Sequence, residues 1–282
     1  MFVAVSWEIR MTTRLTDGWG RHVFLVWTGL VLVAAAVGRL DPAIAASNKS
    51  LTNVEQAYSQ GEYDQAASLA RSQTTPEAAV FTARALLTKA VLLPETNPEV
   101  LSLATIALGY ADAARAANPS LVEAHLDAAI ARGLQAEFLP TQAAIAKVEE
   151  ARAAIDTALD LAPNDPWVLA TYGGWHLTLT GRLGPLVANI LFNARRDVGL
   201  TAFKRAFELS PDEPKLLFHY AKVRLLQGDG SAVPDARAAL LKLQFMAPKD
   251  ALGRTLLAMT PNLLAQIDAT ALLRSNEFTA YP

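Results

Sequence analysis

Few residues in this chain have the types and spacing that chemistry requires. There are four histidines, His22, His125, His176 and His219, and no two stand at helix-ligand spacing. The chain has no H-E-x-x-H, no phosphate-cradling glycine loop of either common type and no G-x-S-x-G nucleophile elbow. It has no cysteine, which excludes disulfides, thiolate metal sites and cysteine nucleophiles. His125 and His219, alone on their helices, are expected to be structural. Glu149-Glu150 and the pair Asp156 and Asp160 are expected as solubility charges on exposed helix faces. The expectation is therefore a protein without catalysis, metal or cofactor.

Two stretches do carry groups suited to binding. Tyr172-Gly173-Gly174-Trp175-His176 puts two glycines inside a helical pattern, at about 1 kcal/mol each relative to alanine. Close helix packing would offset that, and so would a ligand near the backbone; packing is the stronger expectation. Trp175 and His176 then face either a groove or the core. The second stretch, Gly181 to Arg196, is unusually apolar for an insertion, because a solvated loop should be polar. It is expected to cover the core, fold over a groove or seat a partner. It ends in Arg195-Arg196, suited to a ligand carboxylate or to a solvated helix start. The candidate binding residues are Tyr172, Trp175, His176, Arg195, Arg196 and Phe218.

The elements that must position these residues are helical. Hydrophobic residues make up 52% of the 282 positions but aromatics only 7%, an alanine-rich balance that favours closely packed helices over sheets. No period-2 strand pattern occurs. Proline, aspartate and threonine punctuate the helices. Thr75 caps a helix with Pro76 inside it, and Asp165 caps another with Pro166 at its first position. The net charge of −2, with no concentrated basic face, excludes a nucleic-acid footprint.

The helices before four prolines share one rule. Ala107, Ala111, Ala114 and Pro119 stand at offsets 4, 3 and 5, as do Ala151, Ile155, Ala158 and Pro163. Gly199, Phe203, Ala206 and Pro211 repeat them, and so do Ala236, Leu240, Leu243 and Pro248. A small first residue admits a neighbouring helix, the next two form the packing stripe, and proline ends the helix.

This register resembles the second helix and exit turn of the tetratricopeptide repeat, and Gly61-Glu62-Tyr63-Asp64-Gln65-Ala66 resembles that family's turn between helices. Leu226-Gln227-Gly228-Asp229 resembles a second copy of the turn. The resemblance covers about Leu51–Pro248. It implies an all-α, right-handed superhelix of antiparallel helix pairs that binds a protein or peptide in its concave groove. The chain departs from the family in having proline spacings of 44, 48 and 37 residues against a period of about 34. The extra residues are placed near Ala136–Gln142, Gly181–Asn193 and Ser231–Pro234. A weaker resemblance is to the periplasmic T component associated with TRAP-type transporters, which implies a small-ligand-binding accessory role as the alternative.

The N-terminal stretch carries an address. Val23–Val37 is an uncharged run of 15 apolar residues, preceded by Arg14 and Arg21 and followed by Ala43-Ile44-Ala45. This order is that of a secretory signal peptide. Residues 1–45 are therefore expected as the signal, with Met11 an alternative start, and 46–282 as the repeat domain in the periplasm. An uncleaved segment would instead anchor a cell-envelope assembly factor in the inner membrane, the only membrane contact expected.

Overall fold

A computed structural model describes residues 49–93, 97–227 and 230–279. The expected signal segment and the Gly228-Asp229 turn lie outside these residues. The described residues form twelve α-helices and no strand. They are α1 (Lys49–Gln60), α2 (Tyr63–Arg71), α3 (Pro76–Leu92), α4 (Glu99–Ala117), α5 (Val122–Ala136) and α6 (Thr141–Leu161). Next come α7 (Pro166–Leu183), α8 (Pro185–Phe192), α9 (Arg196–Leu209), α10 (Pro214–Gln227), α11 (Ala232–Gln244) and α12 (Ala251–Thr279).

Each helix up to α8 packs on its sequence neighbours; α9 and α10 both pack on α7, and α10, α11 and α12 then follow in sequence order. The result is a solenoid of antiparallel helix pairs. The first-of-pair helices α3, α5, α7 and α10 are buried almost all round, whereas α4, α6, α9 and α11 bury one stripe each. That stripe is the one the repeat rule picks out. All twelve small or apolar rule positions, from Ala107 to Leu243, are buried. The exit turns repeat as well. In three of them the residue before proline (Asn118, Ala162, Ser210) leaves the helical region, at φ −140 to −143° and ψ 71 to 90°, and donates its N–H to the third rule position (Ala114, Ala158, Ala206) at 2.8–2.9 Å. Proline disfavours the helical conformation in its predecessor, so the helix stops there.

The expected caps form. Thr75 accepts from the Ala78 N–H at 3.2 Å, and Asp165 accepts from both Trp167 and Val168 N–H groups at 2.7 and 2.9 Å. His125 is structural, as expected. Its Nδ1 accepts from Arg115, so its Nε2 donates to the Pro119 carbonyl at 2.8 Å, pinning an exit turn.

The insertions take different forms. Only four residues separate α5 from α6, and the extra length there lies in the 21-residue α6. The 181–193 insertion folds as α8. The chain closes with one helix, α12, which runs through Pro261.

The last helix also returns to the first. Helices α12 and α1 touch, and a β-carbon on Gly61 (φ +89°) would stand 2.9 Å from that of Ala251. Near Tyr58 of α1, between α3 and α5, lies a buried polar pair. An Arg84 guanidinium nitrogen stands 3.8 Å from Asp127 Oδ2, with both side chains at most 4% exposed. The Tyr58 hydroxyl bonds Thr88 at 2.6 Å close by. Burial pushes the Asp127 carboxyl up to about 7, and Arg84 offsets only part of that.

Candidate functional site

The two candidate stretches come together around α8. Gly173 and Gly174 serve packing. A β-carbon on Gly173 would meet the Gly199 carbonyl oxygen and the Phe203 ring at 2.8 Å, and one on Gly174 would meet His219 Nε2 at 2.6 Å. Gly199 reciprocates, since its β-carbon would meet Leu177 at 2.8 Å. Gly173 thus lets α9 approach α7 nearly backbone to backbone, Gly174 makes room for the His219 ring of α10, and burial of Phe203 and Phe218 offsets the propensity cost.

Trp175, His176 and Phe218 are buried, Tyr172 and Arg196 half-buried, and Arg195 exposed. The aromatic cluster therefore supports the surface more than it forms it. His176 is its hub. Its ring meets Tyr172 and Trp175 edge-on at 4.6 and 5.0 Å, and its Nδ1 accepts the Arg195 backbone N–H at 3.0 Å. Burial, then Arg152 and Arg195, push its pKa down to about 4, so the ring is neutral and its acceptor stays available. Arg152, unremarked in the sequence, lies 4.9 Å from the centroids of both Tyr172 and Trp175 and bonds Asp156 at 2.7 Å. Arg196 donates to Ser231 at 3.0 Å and so ties α9 to the start of α11.

Helix α8 stands on this base. Gly184 (φ +79°) and Pro185 start it; Asn193, left-handed at φ 52°, ends it, with the Ala194 N–H returned to the Ala188 carbonyl. Its sides differ at i, i+4 spacing. Ala188 and Phe192 face inward, with Phe192 6.4 Å from the Trp175 ring. Pro185 and Asn189 line a cleft of about 490 Å³ shared with Thr180, Arg195, Arg196 and Leu200. Leu186, Val187, Ile190 and Leu191 are exposed. A second cleft, about 330 Å³, lies between α8 and α6, lined by Arg152, Trp175 and Asn193 among others. A smaller apolar cavity, about 80 Å³, lies between α5, α6 and α7, with the Glu137–Arg182 ion pair (2.7 Å) in its wall.

Burial also pushes the Tyr58 hydroxyl up, beside Arg84 and Asp127, whereas the shifted histidines stand apart from that pair. His219 on α10 is pushed down to about 3 by burial, His176 sits behind α8, and Asp127 faces Arg84. Among the described residues no group of three His, Asp or Glu side chains is placed to hold a metal.

A family model described as regulator of microtubule dynamics protein 1-3 matches residues 50–253, most of the chain. The chain belongs to that family. No curated protein matches this family member significantly. The crystal structure of TTC0263, a thermophilic TPR protein in Thermus thermophilus, superposes on it with a TM-score of 0.54 at 21% identity, covering 75% of this chain and 96% of that one. The likeness shows that this family member has the tetratricopeptide-like solenoid its proline register implied.

Proposed function

We propose that this protein is an exported, non-catalytic scaffold in the periplasm that binds a protein or peptide partner. The fold supports partner binding in general, since stacked helix pairs present extended surfaces. The observation that carries the reading is the 490 Å³ cleft between α8 and α9, where Arg195, Arg196, Asp197 and the amide of Asn189 surround apolar Pro185, Ala194 and Leu200. These groups suit a segment that offers polar or charged groups beside an apolar side chain, with Arg195 able to take a carboxylate in exchange for Asp197. The inner helix faces are a weaker candidate, because α3, α5, α7 and α10 are buried almost all round.

The apolar N-terminal run and its Ala43-Ile44-Ala45 site support export. The family takes its name from regulation of microtubule dynamics; for this chain the reading is the more general one, partner binding.

The small-ligand alternative draws on the partly open apolar cavity between α5, α6 and α7. At about 80 Å³ it is smaller than the roughly 150 Å³ that accepts benzene, which favours the scaffold.

Co-purification of the full chain from its own cell envelope tests the reading. A single stoichiometric protein, lost in Arg195→Glu, is the expected result. Retention of a small molecule alone would contradict it.

A further inference from the structure

The start of α12 meets the turn between α1 and α2, so the two ends of the described solenoid touch. Gly61 sits at the centre of that contact. Helix α1 ends in a paired turn: the Gly61 N–H donates to the Tyr58 carbonyl at 3.0 Å, and the Glu62 N–H to the Ala57 carbonyl at 2.9 Å. The turn needs a left-handed residue, and Gly61 supplies it at φ +89°. The turn also runs so near α12 that a β-carbon on Gly61 would stand 2.9 Å from that of Ala251. Glycine is thus required here twice, once for the turn and once for the approach.

The α12 side of the contact is held just as firmly. Asp250 accepts the Gly253 N–H at 2.7 Å and so caps α12. Its other carboxylate oxygen accepts from the buried Lys215 of α10 at 2.8 Å. Leu252 and Leu256, in the first turns of α12, are buried. Electrostatics cross the contact as well. Burial, then the Asp250 carboxylate, push the Tyr63 hydroxyl of α2 up to about 12, and Arg254 draws it down. The Tyr63 ring in turn meets that of Tyr58 on α1 edge-on at 5.3 Å. Groups on α1, α2, α10 and α12 therefore share one junction where the two ends meet.

In an open solenoid each repeat is held by its neighbours alone, and terminal helices are the first to open. From the joined ends we infer that Gly61 and Ala251 form a clasp that closes the solenoid into a circuit and makes α12 a support for α1 and α2 at the opposite end of the sequence. The supported helices need it. They have 12 and 9 residues, and isolated helices shorter than about 12–15 residues are marginal in water. Uncoiling the superhelix would part its ends, so the clasp also limits how far the inner faces of α3, α5, α7 and α10 can open toward a partner. This device is independent of the cleft between α8 and α9.

Amide hydrogen exchange along the full chain tests the clasp. Ala251→Leu drives a larger side chain against the Gly61 backbone. It should speed exchange in α1 and α2 by about tenfold or more and leave α7 and α9 as in the parent chain. Ala251→Val is the milder variant and gives the same reading should Ala251→Leu fail to fold. Ala258→Leu makes the same change at an exposed position of α12 and should leave exchange in α1 and α2 unchanged. Unchanged exchange of α1 and α2 in the folded Ala251 variants would overturn the inference. So would acceleration spread equally over α1, α2, α7 and α9, which would mark a general loss of stability.

Discussion

Gly174 lies against His219 so closely that a β-carbon built on it would stand 2.6 Å from the imidazole Nε2. The histidine cannot step aside, since it is fully buried and its ring packs edge-on against Phe203 at 5.2 Å. Gly174→Ala should therefore lower stability by about 1–3 kcal/mol, despite the roughly 1 kcal/mol that helix propensity returns. Gly174→Leu should lower it further. Gly109, exposed on α4, has no atom within 4 Å of its β position, so Gly109→Ala should raise stability by up to about 1 kcal/mol. Urea midpoints of the variants decide it. A stabilising Gly174→Ala would contradict the packing role.

The same histidine sets an acid limb. Its folded pKa of about 3 lies below the unfolded value of about 6.5, so the unfolded chain takes the proton first. The stability contributed by neutral His219 is complete above about pH 6.5 and falls by about 1.4 kcal/mol per pH unit as the solution is acidified toward pH 3. His219→Phe keeps a ring at this position and should flatten that slope, read as the difference in stability from the parent chain across pH 4–7.

Asp127 runs the opposite way. Its folded pKa of about 7 lies above the unfolded value of about 3.9, so the fold holds the proton more tightly. That contribution is complete below about pH 4 and is lost as pH rises through 7. Asp127→Asn cannot ionise. Relative to the parent chain it should gain stability between pH 5 and pH 8, and an unchanged difference would show that the carboxyl is ionised throughout.

Asp165 accepts two N–H groups at the start of α7, the helix that carries the aromatic cluster. Asp165→Ala should cost about 1 kcal/mol, and Asp165→Asn distinctly less. Thermal melts of the two variants check it.

Much of this fold was legible because the repeat rule works at the level of the helix. A small residue, two apolar ones and a proline at offsets 4, 3 and 5 fix a buried stripe in all four copies and the place where the helix ends in three, α11 stopping earlier at Gln244. The glycine pair was legible for the same reason, since its helical cost called for a close approach. The 181–193 insertion read only as unusually apolar; eight residues without charge periodicity do not reveal a helix or its outward face. Trp175, His176 and Phe218 read as groove candidates, yet tertiary packing buries them. Arg152 and the Arg84–Asp127 pair gave no signal at all. Single charges on alanine-rich helices look solvated until the neighbouring helix is in place.

The central claim places partner recognition in the cleft between α8 and α9. A photo-crosslinking residue at Asn189, in the full chain in its own cells, tests it most directly. The account predicts one crosslinked protein from Asn189, abolished by Arg195→Glu, and no crosslink from Lys204, exposed on α9. Equal crosslinking from Lys204, or a product that persists in Arg195→Glu, would contradict it.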